Sequence, residues 1–435
     1  RLKPMRTPVL PPLPRPVIDH IGYSRGALFV DFSRDSHLLP PAENKRLCAA
    51  ARSRGCRLSP HEKGVRYTAR PARKTAPLSP SKAIAAPDLQ SIPSGETVRA
   101  WTRDLSGRPG MRLWHAGTSL LGRDILAVEA TAGNMPARRA RLLKPTLLVN
   151  ARHHANEVSG TNAAMALLHA LATFGTTAGV TARVNLVVVP LENADGVDTL
   201  EKMLPESPDH KLHAARYNAL GMEWYGEYFK KDTRFSEARV KTRLFERWLP
   251  EYMIDLHGVP SHEWEQPFSG YINPRFKEHW IPRSFVYTIL PFYGREKHPG
   301  SSIAAALAQE MSIALETQTD MVALNRQIFD RYHRYAKAFA PEVYDADMAG
   351  SLVVTPTCDR IRKINFANRK WPLVKSEIIT EVLDEVATGP WLERCARAHL
   401  VIIDTVLKRM QTEKKAVLER KKKQGFVTLA WHRRE

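Results

Sequence analysis

Cysteine is scarce in this chain. The four that occur among 435 residues, Cys48, Cys56, Cys358 and Cys395, fall at no spacing that would make a zinc ribbon or a disulfide framework, so both are excluded and ordinary thiols are expected. Long apolar runs are also missing. The longest, such as Thr146 to Val149 and Leu186 to Val189, fall far short of the ~20 residues that cross a bilayer as a helix. No integral membrane segment is expected. Acidic residues are short of basic ones, 45 against 65, which leaves a net charge of +20. The excess sits at the ends: residues 1–86 carry 17 Lys/Arg against 5 Asp/Glu, and residues 405–435 carry 10 against 3. Between them, 38 basic and 37 acidic residues nearly cancel. The body therefore lacks the basic, aromatic-interleaved face of a nucleic-acid module, and nucleic acid is not an expected partner. Few cysteines and no visible leader favour the cytoplasm, although the first residue is Arg1 rather than Met.

Proline is concentrated where charge is. Twelve of the 31 prolines lie in residues 1–86, and the run Pro8-Val9-Leu10-Pro11-Pro12-Leu13-Pro14 favours an extended polyproline conformation. This stretch reads as a basic, proline-rich appendage or a small N-terminal subdomain, with a short strand at Ala27 to Phe32 and a linker from Arg66 to Ala86. At the other end, Trp391 to Leu418 repeats apolar residues at helical spacing and runs into Arg420-Lys421-Lys422-Lys423, a solvated basic helix end.

Between these ends, apolar strands alternate with helical segments. Pro145 to Asn150, Arg183 to Val189, Tyr252 to Leu256, Phe285 to Leu290 and Ser312 to Leu315 read as strands, with a helix from Glu157 to Phe174 after the first. Strands of continuous apolar character interleaved with helices argue for an α/β fold: a mixed, mostly parallel twisted sheet with helices on both faces. Such sheets bind ligands beyond the carboxyl ends of their strands.

The polar residues gather at those ends. The first strand is followed by Ala151-Arg152-His153-His154-Ala155-Asn156-Glu157, in which His154 and Glu157 form an H-x-x-E pair; Tyr252 to Leu256 leads into His257; Leu315 leads into Glu316. Two imidazoles and a carboxylate with an open fourth position make the first shell of a catalytic zinc, and a further carboxylate is what an activated water needs as proton acceptor.

In the same order, the chain resembles the zinc carboxypeptidases of the funnelin type. The resemblance runs through Gly117-Thr-Ser-Leu-Leu-Gly-Arg-Asp-Ile125, His154-Ala-Asn-Glu157, Pro190-Leu-Glu-Asn-Ala-Asp-Gly196, Asp255-Leu-His257-Gly258 and Leu315-Glu316-Thr317, over roughly residues 90 to 345. It implies a sheet of about eight strands, a single zinc ion held by His154, Glu157 and His257, and Glu316 as general base in the hydrolysis of a peptide or amide bond. His153 has no role in it. The family's electrophilic arginine matches Arg216, with Arg234 as second choice, its substrate-binding side chains are matched by Asn218 and Arg234, and its loop tyrosine by Tyr293. The Asn-Arg pair that grips a terminal carboxylate is replaced by Tyr225 and Gly226. The aromatic-rich segment after His257, with His262 and Trp264, is expected at the rim of the cleft.

The domain plan that follows is an appendage or subdomain at 1–86, a catalytic domain at 87–345, a helical extension packed on it at 346–404 and a basic C-terminal helix or tail at 405–435. The substrate is a peptide or amide. The missing Asn-Arg pair allows the same metal centre to serve an amidohydrolase acting on N-acyl amino acids or side-chain amides, as in the desuccinylase and aspartoacylase relatives. A non-catalytic scaffold binding anionic partners through its basic ends is the remaining alternative.

Overall fold

The computed structural model of the chain describes residues 83–132, 135–174, 179–206, 213–259, 282–336, 346–357, 359–384 and 388–413, together with the backbone of six further strands. The chain divides into two units, Arg1–Ser81 and Lys82–Glu435. In the first, β1 (Ile18–Ser24) pairs antiparallel with β2 (Ala27–Phe32), and β3 (Cys56–His61) with β4 (Gly64–Ala69). The expected strand at Ala27 to Phe32 is therefore half of a hairpin.

The second unit is built on a nine-stranded sheet. Its strands in chain order are β5 (Met111–Thr118), β6 (Asp124–Ala130), β7 (Thr146–Ala151), β8 (Asn185–Val189), β9 (Tyr252–Gly258), β10 (Val286–Leu290), β11 (Asp347–Ala349), β12 (Leu352–Pro356) and β13 (Ser376–Val382). In space they run β11-β12-β10-β13-β9-β7-β8-β6-β5. The four central strands, β13, β9, β7 and β8, are parallel to one another. The unbroken apolar runs of β7 and β8, Leu147-Leu148-Val149 and Leu186 to Val189, are those of strands covered on both faces. The flanking pairs β10 with β13, β11 with β12, β6 with β8 and β5 with β6 are antiparallel.

The principal helices are α1 (Gly95–Asp104), α2 (Ala137–Leu143), α3 (Ser159–Phe174), α4 (Ala194–Met203), α5 (Ser236–Trp248), α6 (Ser301–Glu316), α7 (Thr319–Arg331) and α8 (Gly389–Thr412). They cover both faces. On one, α8 buries Leu392, Ala396, His399, Ile402, Val406 and Met410 along a single stripe, and the His399 imidazole meets the Thr380 hydroxyl of β13 at 2.8 Å. On the other, α5 buries Val240, Leu244 and Trp248. Among the described residues, no helix is long and apolar enough to cross a membrane.

Three expectations are corrected here. Ser312 to Leu315 is not a strand but the last turn of α6, whose Ala-rich sequence is that of a helix former. Residues 346–404 are not a helical extension, because β13 lies between β9 and β10 in the middle of the sheet. Its run Ile378-Ile379-Thr380 is β-branched throughout, which favours a strand. The basic run Arg420 to Lys423 does not end a helix: α8 stops at Thr412, and β14 (Val417–Lys423) turns back as β15 (Phe426–His432).

The order of connections creates the crevice. From β7 the chain crosses over through α3 to β8 on one side, then through α4 and α5 to β9 on the other side of β7. Loops leaving β7 and β9 therefore diverge, which opens a cleft at their carboxyl ends.

Candidate metal centre

The chain leaves β7 through Arg152, a buried residue in the left-handed region at φ 64°, a conformation that costs about 1–3 kcal/mol and persists only where surroundings enforce it. Here the Arg152 guanidinium donates to the Ala155 carbonyl at 2.6 Å, and its own carbonyl accepts from the Asn193 amide at 3.0 Å. Burial, opposed chiefly by Asp384, brings its pKa down to about 10. The turn sends His153 and His154 inward together, both buried.

Two of the motifs that carry the family resemblance meet beside this turn. The Ser119 hydroxyl, the Leu121 amide and the Arg123 guanidinium of the β5–β6 hairpin all donate to the Asp195 carboxylate of α4, at 2.6, 3.0 and 2.8 Å. Next to it Gly196 leaves no room for a side chain: a Cβ there would lie 2.5 Å from Asn193 Nδ2 and 2.6 Å from the Tyr217 carbonyl.

Three donors converge. His154 Nδ1 lies 2.8 Å from Glu157 Oε1, His257 Nδ1 lies 2.9 Å from Glu157 Oε2, and the two Nδ1 atoms are 3.0 Å apart. All three side chains are nearly inaccessible. Two imidazole nitrogens aimed at the same carboxylate and at each other suit a shared cation better than a proton network, and the set of two nitrogens and one carboxylate is that of a catalytic zinc. The residues present thus fit the metal. The Gly258 amide and the Arg216 guanidinium also donate to Glu157, at 3.0 and 2.6 Å.

Each ring has a carboxylate behind it. Glu223 Oε2 lies 2.9 Å from His154 Nε2, and Glu223 Oε1 lies 2.9 Å from His153 Nε2. Tyr228 Oη meets His153 Nδ1 at 2.9 Å. His153, without a role in the sequence reading, therefore holds the carboxylate that holds His154, the arrangement that fixes the tautomer of ligating histidines. Behind His257 stands Asp255, with Oδ1 3.5 Å from Nε2. Nothing in the spacing of the sequence signals Glu223 or the Asp255 contact, which arise from chain segments that only the fold brings together.

Burial works against every one of these charges, so their neighbours decide the outcome. His154 is pushed down, by burial and then by Arg216. Asp255 and Glu157 lift His257 despite its burial, and the two histidines with Arg216 hold Glu157 well below the carboxylate range. His153 is raised to about 9 in spite of burial, first by Glu223.

Glu316 is not in this cluster. It is the exposed last residue of α6, and α6 lies in the layer of α8, to which Glu310 is tied by Arg409 at 2.6 Å. That layer covers the face to which Thr380 points. Side chains alternate along a strand, so the neighbouring Glu381 points to the opposite face, the one that carries His257. Glu381 sits opposite His257 in the parallel register of β13 and β9, and opposite Tyr287 in the antiparallel register of β10. Burial raises its pKa to about 8, with His257 opposing and Glu157 adding to the rise. Its signal in the sequence was the β-branched run Ile378 to Val382 with a single glutamate near its end.

Tyr293 also fails to reach the cluster. β10 runs antiparallel to β13, with Val286 beside Val382 and Ile289 beside Ile379. It therefore starts at the metal edge of the sheet and ends at the other, and Tyr293 follows that far end, half-buried against the core. Asn218 accepts from the Leu220 and Met222 amides at 2.9 and 3.1 Å and shapes its own loop. Arg234 is exposed and donates to Met222 Sδ at 3.5 Å. Arg216 alone of these reaches the centre. The ring of Tyr225 stands edge-on to His153 at 5.1 Å between centroids and tilted to His257 at 6.4 Å. His262 and Trp264 lie outside the described residues.

A family model described as zinc carboxypeptidase matches residues 98–223. Among solved structures, the chain is similar to a metallo-carboxypeptidase from Burkholderia cenocepacia (13% identity, 90% of this chain and 80% of that one, TM-score 0.46). It is likewise similar to carboxypeptidase A from Helicoverpa armigera (12% identity, 88% and 82%, TM-score 0.46). No curated protein matches it.

Proposed function

We propose that this chain, whose residues 98–223 match a family model described as zinc carboxypeptidase, is a zinc metallopeptidase that hydrolyses a peptide or amide bond with Glu381 as general base. The observation that carries this reading is the register that sets Glu381 beside His257, next to the convergent donors of His154, Glu157 and His257. Those three residues would hold the zinc. When bound, zinc polarises a carbonyl oxygen and makes water a competent nucleophile near neutral pH.

The protein's own groups do the rest. Glu381, whose pKa burial raises above the ordinary carboxylate range, accepts a proton from water and returns it to the departing amine, one group serving both steps. Arg216, anchored on Glu157 at 2.6 Å, stands where its positive charge can steady the oxyanion of a tetrahedral adduct. Glu223 and Asp255 keep each imidazole turned with Nδ1 inward. Tyr287, buried at the opposite side of Glu381, keeps water from that flank of the carboxylate.

The sequence resemblance puts Tyr225 and Gly226 in place of the Asn-Arg pair that grips a terminal carboxylate, which favours, as a second reading, an acyl or side-chain amide as substrate. The test is zinc analysis of the purified protein combined with release of amine from peptides with free C-termini, C-terminally blocked peptides, isopeptides and N-acyl amino acids. Absence of stoichiometric zinc, or zinc without turnover of any of these, defeats the proposal. Cleavage only of free C-termini defeats the second reading.

A further inference from the structure

We propose that Lys241 is a positioning residue for the metal ligand His257, acting through the Asp255 carboxylate. This rests on the metal-site reading above and extends it to a residue on α5, outside every segment that carries the family resemblance.

Lys241 is 1% exposed, enclosed by the rings of Tyr228, Tyr225 and Phe366 at 4.8, 5.8 and 5.8 Å from its ammonium. A lone ammonium in such a place is strongly disfavoured, and it persists only when paired. Its partners are Asp255 Oδ2 at 2.7 Å and Glu377 Oε1 at 2.8 Å. Glu377 is in turn bonded by the Phe366 amide, so the ammonium is held from more than one side.

The geometry gives the pair a direction. Lys241 occupies one oxygen of Asp255. The other, Oδ1, faces His257 Nε2 at 3.5 Å, and both of these buried atoms lack a hydrogen-bond partner among the described residues. With Oδ2 pinned, the carboxylate cannot rotate Oδ1 away, and a small movement of the ring closes the remaining gap. The opposite ring nitrogen, Nδ1, is then the one presented to Glu157 and His154. Partners of this kind around a ligating histidine typically carry about 10–100-fold in metal affinity. A lysine kept only for the stability of the core would leave metal affinity unchanged.

The experiment is a double-mutant cycle read as the zinc dissociation constant, by competition with a chelator, with the unfolding midpoint of the metal-free protein measured beside it. K241M and D255N should each weaken zinc binding about 10–100-fold, and the double variant should lose no more than about threefold beyond D255N, because both act on one contact. Zinc affinity of K241M within about twofold of the parent, or losses that multiply in the double variant, overturns the role of Lys241. If K241M does not fold, K241M/E377Q, which removes a buried cation and a buried carboxylate together, takes its place with the same expected loss, and parental affinity there is equally fatal. A parent chain that binds no zinc overturns the metal site itself, and with it this inference. A parent that binds tightly beside a K241M of equal affinity overturns only the inference.

Discussion

Glu381 and His257 face each other across two adjacent parallel strands, β13 and β9, at the same register. That single relationship brings beside the His154, Glu157 and His257 cluster a different glutamate from the one the sequence order suggested. It also sets the first prediction: Glu381→Gln retains zinc and loses turnover by about 10²–10⁴-fold. Glu316→Gln, on the exposed end of α6, retains both. Steady-state rates and metal content of the two variants check this, and an inactive Glu316→Gln with an active Glu381→Gln would reverse the assignment.

Removal of the metal should unfold the protein more readily. Without zinc, two histidines and Glu157 are left crowded within hydrogen-bond distance of one another. A ligand present at about 1,000 times its dissociation constant adds about 4 kcal/mol to stability. Chelation is expected to lower the thermal midpoint, and zinc to restore it; a midpoint indifferent to chelator and zinc would contradict the site.

Gly258 is the place where the smallest side chain does harm. A Cβ there would lie 2.0 Å from Asp384 Oδ1, and the displaced backbone would lose the bond from its amide to Glu157 at 3.0 Å. Gly258→Ala should cost about 1–3 kcal/mol by overpacking and weaken zinc binding at the same time. Denaturant titration with and without zinc reads both effects.

Acid sensitivity has a source on the opposite face of the sheet. Burial, and secondarily His257, lowers the pKa of His399 from 6.5 to about 3. The unfolded chain therefore binds a proton that the folded chain refuses between those values. Stability from this group is present above pH 6.5 and is lost as pH falls toward 3, on the order of 5 kcal/mol across the window. His399→Gln, which removes the titration, should flatten the dependence of the unfolding midpoint over that range. An unchanged slope would show that other groups dominate.

The sequence by itself determined the α/β class, the strands that became β7, β8, β9 and β10, and the three side chains that converge at their ends, His154, Glu157 and His257. The physical reason is locality: a buried parallel strand needs an unbroken apolar run, and the residues that follow it are delivered to the cleft by chain continuity alone. Only the tertiary structure decided which glutamate lies beside the cluster of His154, Glu157 and His257. Leu315-Glu316 and Thr380-Glu381 both place a carboxylate after apolar residues, and the difference lies in which segment forms a strand and which face it presents. Tyr293 went astray for a related reason, because a short strand carries no mark of its direction, and β10 runs opposite to its neighbour. The supports behind the ligands, Glu223 with His153 and Asp255 with Lys241, were decided by packing, since each joins elements that nothing in the linear spacing connects.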